Sequence, residues 1–178
     1  MIDYVSPATG DKLLAQGNYL VSERAEKFPV VNGIPRFVGE DNYADAFGLQ
    51  WKVYSKTQLD SYTGMPLSLS RLERCLGFSL AQLKGKNVLE AGCGAGRFTE
   101  LLVNAGANVH SLDLSSAVEA NLENIGAKEN YRVAQANIYE MPFPAGSFDY
   151  VICLGVVQHT PSSEKTIQSL WKMVKPGG

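Results

Sequence analysis

The sequence is poor in cysteine, in excess positive charge and in long apolar runs, and each shortage excludes something. Its three cysteines, Cys75, Cys93 and Cys153, form no CxxC pair and make an odd total. That speaks against a disulfide framework or a structural zinc site, and no metal is expected. Lys and Arg number 16 against 18 Asp and Glu, for a net charge of −2. The basic footprint of a dedicated nucleic-acid binder is missing, so no nucleic-acid partner is expected. The start, Met1-Ile2-Asp3-Tyr4, is not a basic segment leading into an apolar run, and no later stretch is long enough to span a bilayer. No membrane partner and a cytoplasmic location are the default expectations.

What is present fits one globular domain with a small appendage: 178 residues, 45% hydrophobic and 19% charged. Three regions follow one another. Residues 1 to about 40 are rich in turn formers and strand-like, with Leu13-Leu14, Tyr19-Leu20-Val21 and Phe28-Pro29-Val30-Val31 ahead of Asn32-Gly33, a strong hairpin dipeptide. Residues 41–84 read as helical, with Tyr43, Phe47, Trp51, Tyr54 and Leu59, then Leu69, Leu72, Leu76 and Leu80, at helical spacing.

Residues 85–178 alternate strand and helix. Strands are expected at Asn87–Ala91, Asn108–Asp113, Tyr131–Ala136 and Phe148–Leu154, the last so apolar that both its faces should be covered. Helices are expected from Arg97 to Asn104, after the capping serines Ser115 and Ser116, and from Thr160 onward with Ile167, Leu170, Trp171 and Val174 on one face. The alternation predicts an α/β fold: a Rossmann-like parallel sheet with helices on both faces, preceded by a small N-terminal β-ribbon.

The chemistry centres on Glu90-Ala91-Gly92-Cys93-Gly94-Ala95-Gly96, between the first of these strands and its helix. Glycines at 92, 94 and 96 let the backbone turn tightly and approach a ligand closely. Dinucleotide sites use the same geometry, and two residues separate the readings. The nucleotide fingerprint needs a glycine where Arg97 stands, and Glu90 would repel a pyrophosphate yet suits an ammonium.

The run Val88 to Gly96 resembles motif I of class I S-adenosylmethionine-dependent methyltransferases, of the type 11-like group. Further matches cover roughly the last ninety-five residues. They are Asp113 and Leu114 after the second strand, Asn137 and Ile138 after the third, Met141-Pro142-Phe143, Ser147-Phe148-Asp149, Leu154-Gly155-Val156-Val157-Gln158-His159-Thr160 and Lys175-Pro176-Gly177-Gly178.

The resemblance implies S-adenosylmethionine as cofactor, S-adenosylhomocysteine as product and a small-molecule acceptor. It implies cofactor contacts at Glu90, Gly92, Cys93, Gly94, Gly96, Asp113, Leu114, Asn137, Ile138 and Leu154. Asp113 would take the ribose hydroxyls. Asn137 stands where the family usually has an acid facing the adenine amine. His159 is the candidate base or acceptor contact, against the plainer reading of a packed loop histidine. Cys93 is read as a small loop residue and Arg97 as a local anchor.

The first forty residues resemble the zinc ribbon that precedes some methyltransferases. Ser6-Pro7-Ala8-Thr9-Gly10 replaces its Cys-Pro-x-Cys-Gly, so a metal-free version is expected. Family members continue past the Pro-Gly-Gly turn with three more strands. The chain is therefore expected to be C-terminally truncated, to present an open sheet edge prone to self-association, and to methylate poorly. Two other readings stand beside the enzyme: a cofactor-binding fragment or pseudoenzyme serving a partner, and an NAD(P)-dependent oxidoreductase.

Overall fold

The computed structural model describes residues 1–39 and 56–177. The helical reading of Tyr43, Phe47, Trp51 and Tyr54 lies outside the described residues.

Four short strands form an antiparallel sheet in chain order: β1 (Leu14–Gln16), β2 (Tyr19–Val21), β3 (Lys27–Val31) and β4 (Ile34–Pro35). Asn32 and Gly33, both at positive φ (53° and 81°), close the β3–β4 hairpin as the sequence predicts. The tip that aligns with the zinc-ribbon cysteines is held by hydroxyls and one carboxylate. Oε2 of Glu26 accepts hydrogen bonds from Thr9 Oγ1 (3.0 Å) and Ser22 Oγ (3.1 Å). Ser6 Oγ accepts from Thr9 N (3.2 Å). Hydrogen bonds from Ser6, Thr9 and Ser22 hold the Glu26 carboxyl below the usual range.

Two short helices follow, α1 (Asp60–Thr63) and α2 (Leu67–Leu76). Gly77, at φ 76°, ends α2 and donates its N–H to Glu73 O. Leu80, which the spacing placed on the same helix, falls instead in a separate 3₁₀ turn, Leu80–Leu83.

The main sheet is parallel, in the order β7-β6-β5-β8: β5 (Asn87–Ala91), β6 (Asn108–Asp113), β7 (Tyr131–Gln135) and β8 (Tyr150–Ile152). On one face Val88, Val109, Tyr131 and Val133 pack with Leu72 of α2, with Leu102 of α3 (Thr99–Asn104) and with Val118 of α4 (Ala117–Ile125). On the other, Leu89, Leu112 and Ala134 pack with Met173 of α5 (Ser163–Met173) and with Tyr4 and Leu13 of the N-terminal segment. The two side-chain sets alternate along each strand, as the pleat requires. Helices cover both faces of a Rossmann-like sheet, and the N-terminal ribbon completes the second.

Three local expectations are corrected. β8 is shorter than Phe148–Leu154, and Tyr150 and Val151 are only half-buried. Among the described residues this strand pairs only with β5, in a ladder that runs from Val88–Tyr150 to Glu90–Ile152. In α5 the buried residues are Thr166 and Met173, with Leu170 packed beside them, whereas Ile167 and Trp171 are exposed. At α4 the capping contact comes from Ser115 alone, whose Oγ accepts from Ala117 N (3.2 Å); Ser116 makes no side-chain cap.

Candidate functional site

All four parallel strands end on the same side, and the loops that leave them converge there. A cavity of about 350 Å³ lies among them. It is lined by Gly92–Ala95 after β5, Asp113–Ser115 after β6, Ala136–Ile138 after β7 and Leu154–Val156 with His159 and Thr160 after β8. Ligands of doubly wound sheets bind at this carboxyl edge, where the strand order reverses. Here the reversal falls between β5 and β8.

The glycine loop is fixed from several sides. The N–H groups of Gly92 and Cys93 both donate to Leu112 O, at 2.8 and 3.0 Å. Gly94 N donates to Asp113 Oδ2 at 2.9 Å, while Asp113 Oδ1 accepts from Ser115 N (2.9 Å) and Ser115 Oγ (2.7 Å). Asp113 therefore ties the loop to the turn after β6 as well as facing the cavity. Gly92 sits at φ 80°, and a Cβ there would lie 2.2 Å from Val156 Cγ2, so this position requires glycine.

Nine of the residues assigned to the site line the cavity: Gly92, Cys93, Gly94, Asp113, Leu114, Asn137, Ile138, Leu154 and His159. Asn137 Oδ1 accepts from Tyr139 N (3.0 Å), turning the chain at the cavity wall. His159 ends a 3₁₀ turn, Val157–His159, and is exposed at the mouth.

Glu90 and Gly96 are absent from the cavity lining. Expected to face an ammonium, Glu90 is 3% exposed beneath the loop, with Oε2 accepting from Thr99 Oγ1 (2.6 Å) and Ser111 Oγ (2.9 Å). β5 turns this side chain toward β6 and α3, into the buried layer. Burial pushes its pKa up to about 7, against the two hydroxyl donors. Gly96 packs instead toward Asn121 and Ile125 of α4. Burial, with the charges of Asp113 and Glu90, pushes the Cys93 thiol well up, which suits a filler and not a nucleophile.

The far wall holds residues that the sequence reading passed over. Gln58, Leu59 and Arg71 line the cavity beside Arg97 and Phe98. Arg97 Nε donates to Ser68 Oγ (3.0 Å), and its guanidinium stands 5.1 Å from the Phe98 ring centre. Burial and the charge of Arg71 both lower the Arg97 pKa. Nothing in the spacing of α2 marks Arg71, because its place at the site follows from where α2 lies against Arg97, the residue that Ser68 joins. Among the described residues no cluster of three or more His, Cys, Asp or Glu is disposed to hold a metal. No described helix is long and apolar enough to cross a membrane.

Fold and site together define a Rossmann-like domain with its cavity at the carboxyl edge of the sheet, beside the glycine loop. The chain belongs to the methyltransferase domain family, whose model matches residues 89–178. By that family it is a class I S-adenosylmethionine-dependent methyltransferase domain. It is 35% identical over 100 residues to a ubiquinone biosynthesis O-methyltransferase of Azoarcus sp. (strain BH72), a match covering 54% of this chain and 42% of the relative. The chain thus spans less than half the length of this curated relative. An S-adenosyl-L-methionine-dependent methyltransferase structure from Methanococcus maripaludis superposes with a TM-score of 0.61 at 17% identity, covering 79% of this chain and 64% of that one. Phosphoethanolamine N-methyltransferase 2 of Haemonchus contortus, in complex with phosphomonomethylethanolamine and S-adenosylhomocysteine, gives 0.55 at 28% identity, covering 62% and 26%.

Proposed function

We propose that the protein transfers the methyl group of S-adenosylmethionine to a hydroxyl of a small organic acceptor. The observation that carries this reading is one cavity lined together by the glycine loop, Asp113, Asn137, Leu154–Val156 and His159. The names of the O-methyltransferase relatives support oxygen as the acceptor atom.

When bound, the cofactor supplies an already electrophilic methyl group, so the protein's work is alignment and exclusion of water. Gly92 and Gly94 let the backbone come close, and Asp113 Oδ2 keeps one lone pair beyond its bond from Gly94 N, Oδ1 being taken by Ser115 N and Oγ. Leu114, Ile138 and Leu154 give apolar walls for a flat ring. Asn137 Oδ1 keeps one lone pair beyond its bond to Tyr139 N, enough to accept from an exocyclic amine. His159 at the mouth takes the proton from the acceptor hydroxyl. Arg71 and Arg97 make the facing wall cationic and favour a carboxylate in the bound ligand.

Calorimetric titration with S-adenosylhomocysteine and, separately, with NAD tests the reading. Heat on adding S-adenosylhomocysteine and none with NAD is expected. Binding of NAD alone overturns it.

A further inference from the structure

Beneath the glycine loop runs α4, and two of its asparagines, one turn apart, reach up to three consecutive loop carbonyls. Asn121 Nδ2 lies 3.2 Å from Gly94 O, 3.5 Å from Cys93 O and 3.0 Å from Thr99 Oγ1. Asn124 Nδ2 donates to Ala95 O at 2.8 Å. We infer that Asn121 and Asn124 are positioning residues of the cofactor loop, setting its affinity for S-adenosyl ligands without touching the cavity. The inference rests on the cofactor reading above.

Asn121 is fully buried among Ala117, Val118 and Ala120 on a helix that would otherwise bury only apolar side chains. An amide placed there is costly unless all of it is satisfied. Its Oδ1 accepts the Tyr131 hydroxyl at 2.5 Å, so the whole side chain is locked between β7 and the loop.

The consequence for the site follows from the planar trans peptide. A carbonyl drawn down toward α4 turns the N–H of the next residue the other way. Cys93 O accepts from Gly96 N (3.1 Å) with Asn121 Nδ2 at 3.5 Å behind it, and the Gly94 N–H points at Asp113 Oδ2, the contact that joins the loop to the cavity-facing acid. Gly94 O and Ala95 O, held in the same manner, fix the two peptides that follow. Gly96, at φ 104°, is in a backbone conformation that a side chain would strain, and a Cβ there would come within 3.3 Å of Ile125 Cδ1.

A structural role alone would lower stability and leave ligand affinity untouched, and the fold offers a matched control. Asn130 clamps two carbonyls in the same way, Val103 O (3.1 Å) and Ala107 O (2.8 Å), but at the far end of α3 and outside the cavity lining. The experiment measures S-adenosylhomocysteine affinity by calorimetry, and Tm, for the full chain and for Asn121→Ala, Asn124→Ala, Asn124→Asp and Asn130→Ala. Loss of the loop hydrogen bonds is expected to weaken binding about tenfold or more in each Asn121 and Asn124 variant. Asn130→Ala is expected to lower Tm with affinity unchanged. Should Asn121→Ala fail to fold, the two Asn124 variants decide. Affinity unchanged in these, or reduced no more than in Asn130→Ala, overturns the inference and leaves the cofactor reading standing. An unsubstituted chain that binds no S-adenosylhomocysteine overturns both.

Discussion

Glu90 lies directly before the glycine loop with its carboxyl buried against Thr99 and Ser111. Its place before the glycine loop is plain in the sequence, but the direction of its side chain depends on the β5–β6 register, which pairs Glu90 with Ser111. Buried with its pKa raised from 4.5 to about 7, this carboxyl favours its neutral form in the folded chain. The stability linked to it is fully present below pH 4.5 and is lost as the pH rises through about 7. Glu90→Gln keeps an acceptor for Thr99 and Ser111 and removes the titration. The Tm of the variant relative to the natural chain is therefore expected to climb between pH 4.5 and pH 7 and to level off above. An offset that stays constant across that range would show that Glu90 does not titrate there. Gly92→Ala makes a sharper test of the loop. A methyl group at φ 80°, 2.2 Å from a Val156 carbon, costs about 1–3 kcal/mol of strain and fills space at the cavity wall. Lower Tm together with loss of S-adenosylhomocysteine binding is expected; retained affinity would mean that Val156 yields and that the loop tolerates a side chain.

Elements were legible where one physical rule governed them, and less so where two competed. The Asn32-Gly33 hairpin and the strands β5, β6 and β7 match their sequence readings closely because local turn chemistry and apolar runs both point the same way. In α5 apolar spacing does not mark the buried face, since Ile167 and Trp171 are exposed. Its buried stripe includes Thr166, whose hydroxyl lies within hydrogen-bond distance of Thr160 Oγ1 (2.8 Å), Ser162 O (2.8 Å) and Tyr139 OH (3.2 Å). A polar residue with its partners on other segments buries as well as a leucine, and no spacing rule reveals those partners. The ribbon tip makes the same point. Ser6 and Thr9 stand in the sequence where a zinc ribbon has cysteines, but that Glu26 gathers their hydroxyls with that of Ser22 depends on the fold. Glu26 has a depressed pKa, so its contribution is present above the carboxylate's unfolded value and is lost as pH falls through the folded one. Glu26→Ala is expected to lower Tm at neutral pH and to lose that effect in acid, while a strong chelator leaves the Tm of the natural chain unchanged. A chelator-induced drop in Tm would refute this account of the tip.

At the scale of the molecule, the sequence pattern implied a parallel sheet but could not say what covers its edges. The β7 edge is met by the segment leaving the ribbon. Phe37 N donates to Gln135 O (2.8 Å), and Arg36 reaches Gln135 Oε1 and Glu119 Oε1, each at 3.0 Å. The second face is closed by the chain's start, where Ile2 N donates to Nε2 of His110 (3.1 Å), a fully buried histidine on β6 whose pKa burial lowers to about 3. The first forty residues are thus part of how the sheet is finished, although their composition made them look like an appendage. Arg36 is the most economical probe of that role, because one side chain spans the ribbon, β7 and α4. Its side chain is 10% exposed, against 38% for Glu119, so the bond to Gln135 is the better shielded from water and the ion pair is partly screened. Arg36→Ala is expected to cost about 2 kcal/mol, since charged-group hydrogen bonds of this kind contribute on that order. Arg36→Met, which keeps the apolar stem over the sheet, separates packing from hydrogen bonding. Equal losses in Arg36→Ala and Arg36→Met by chemical denaturation assign the join to the guanidinium, whereas full stability in Arg36→Met assigns it to the stem.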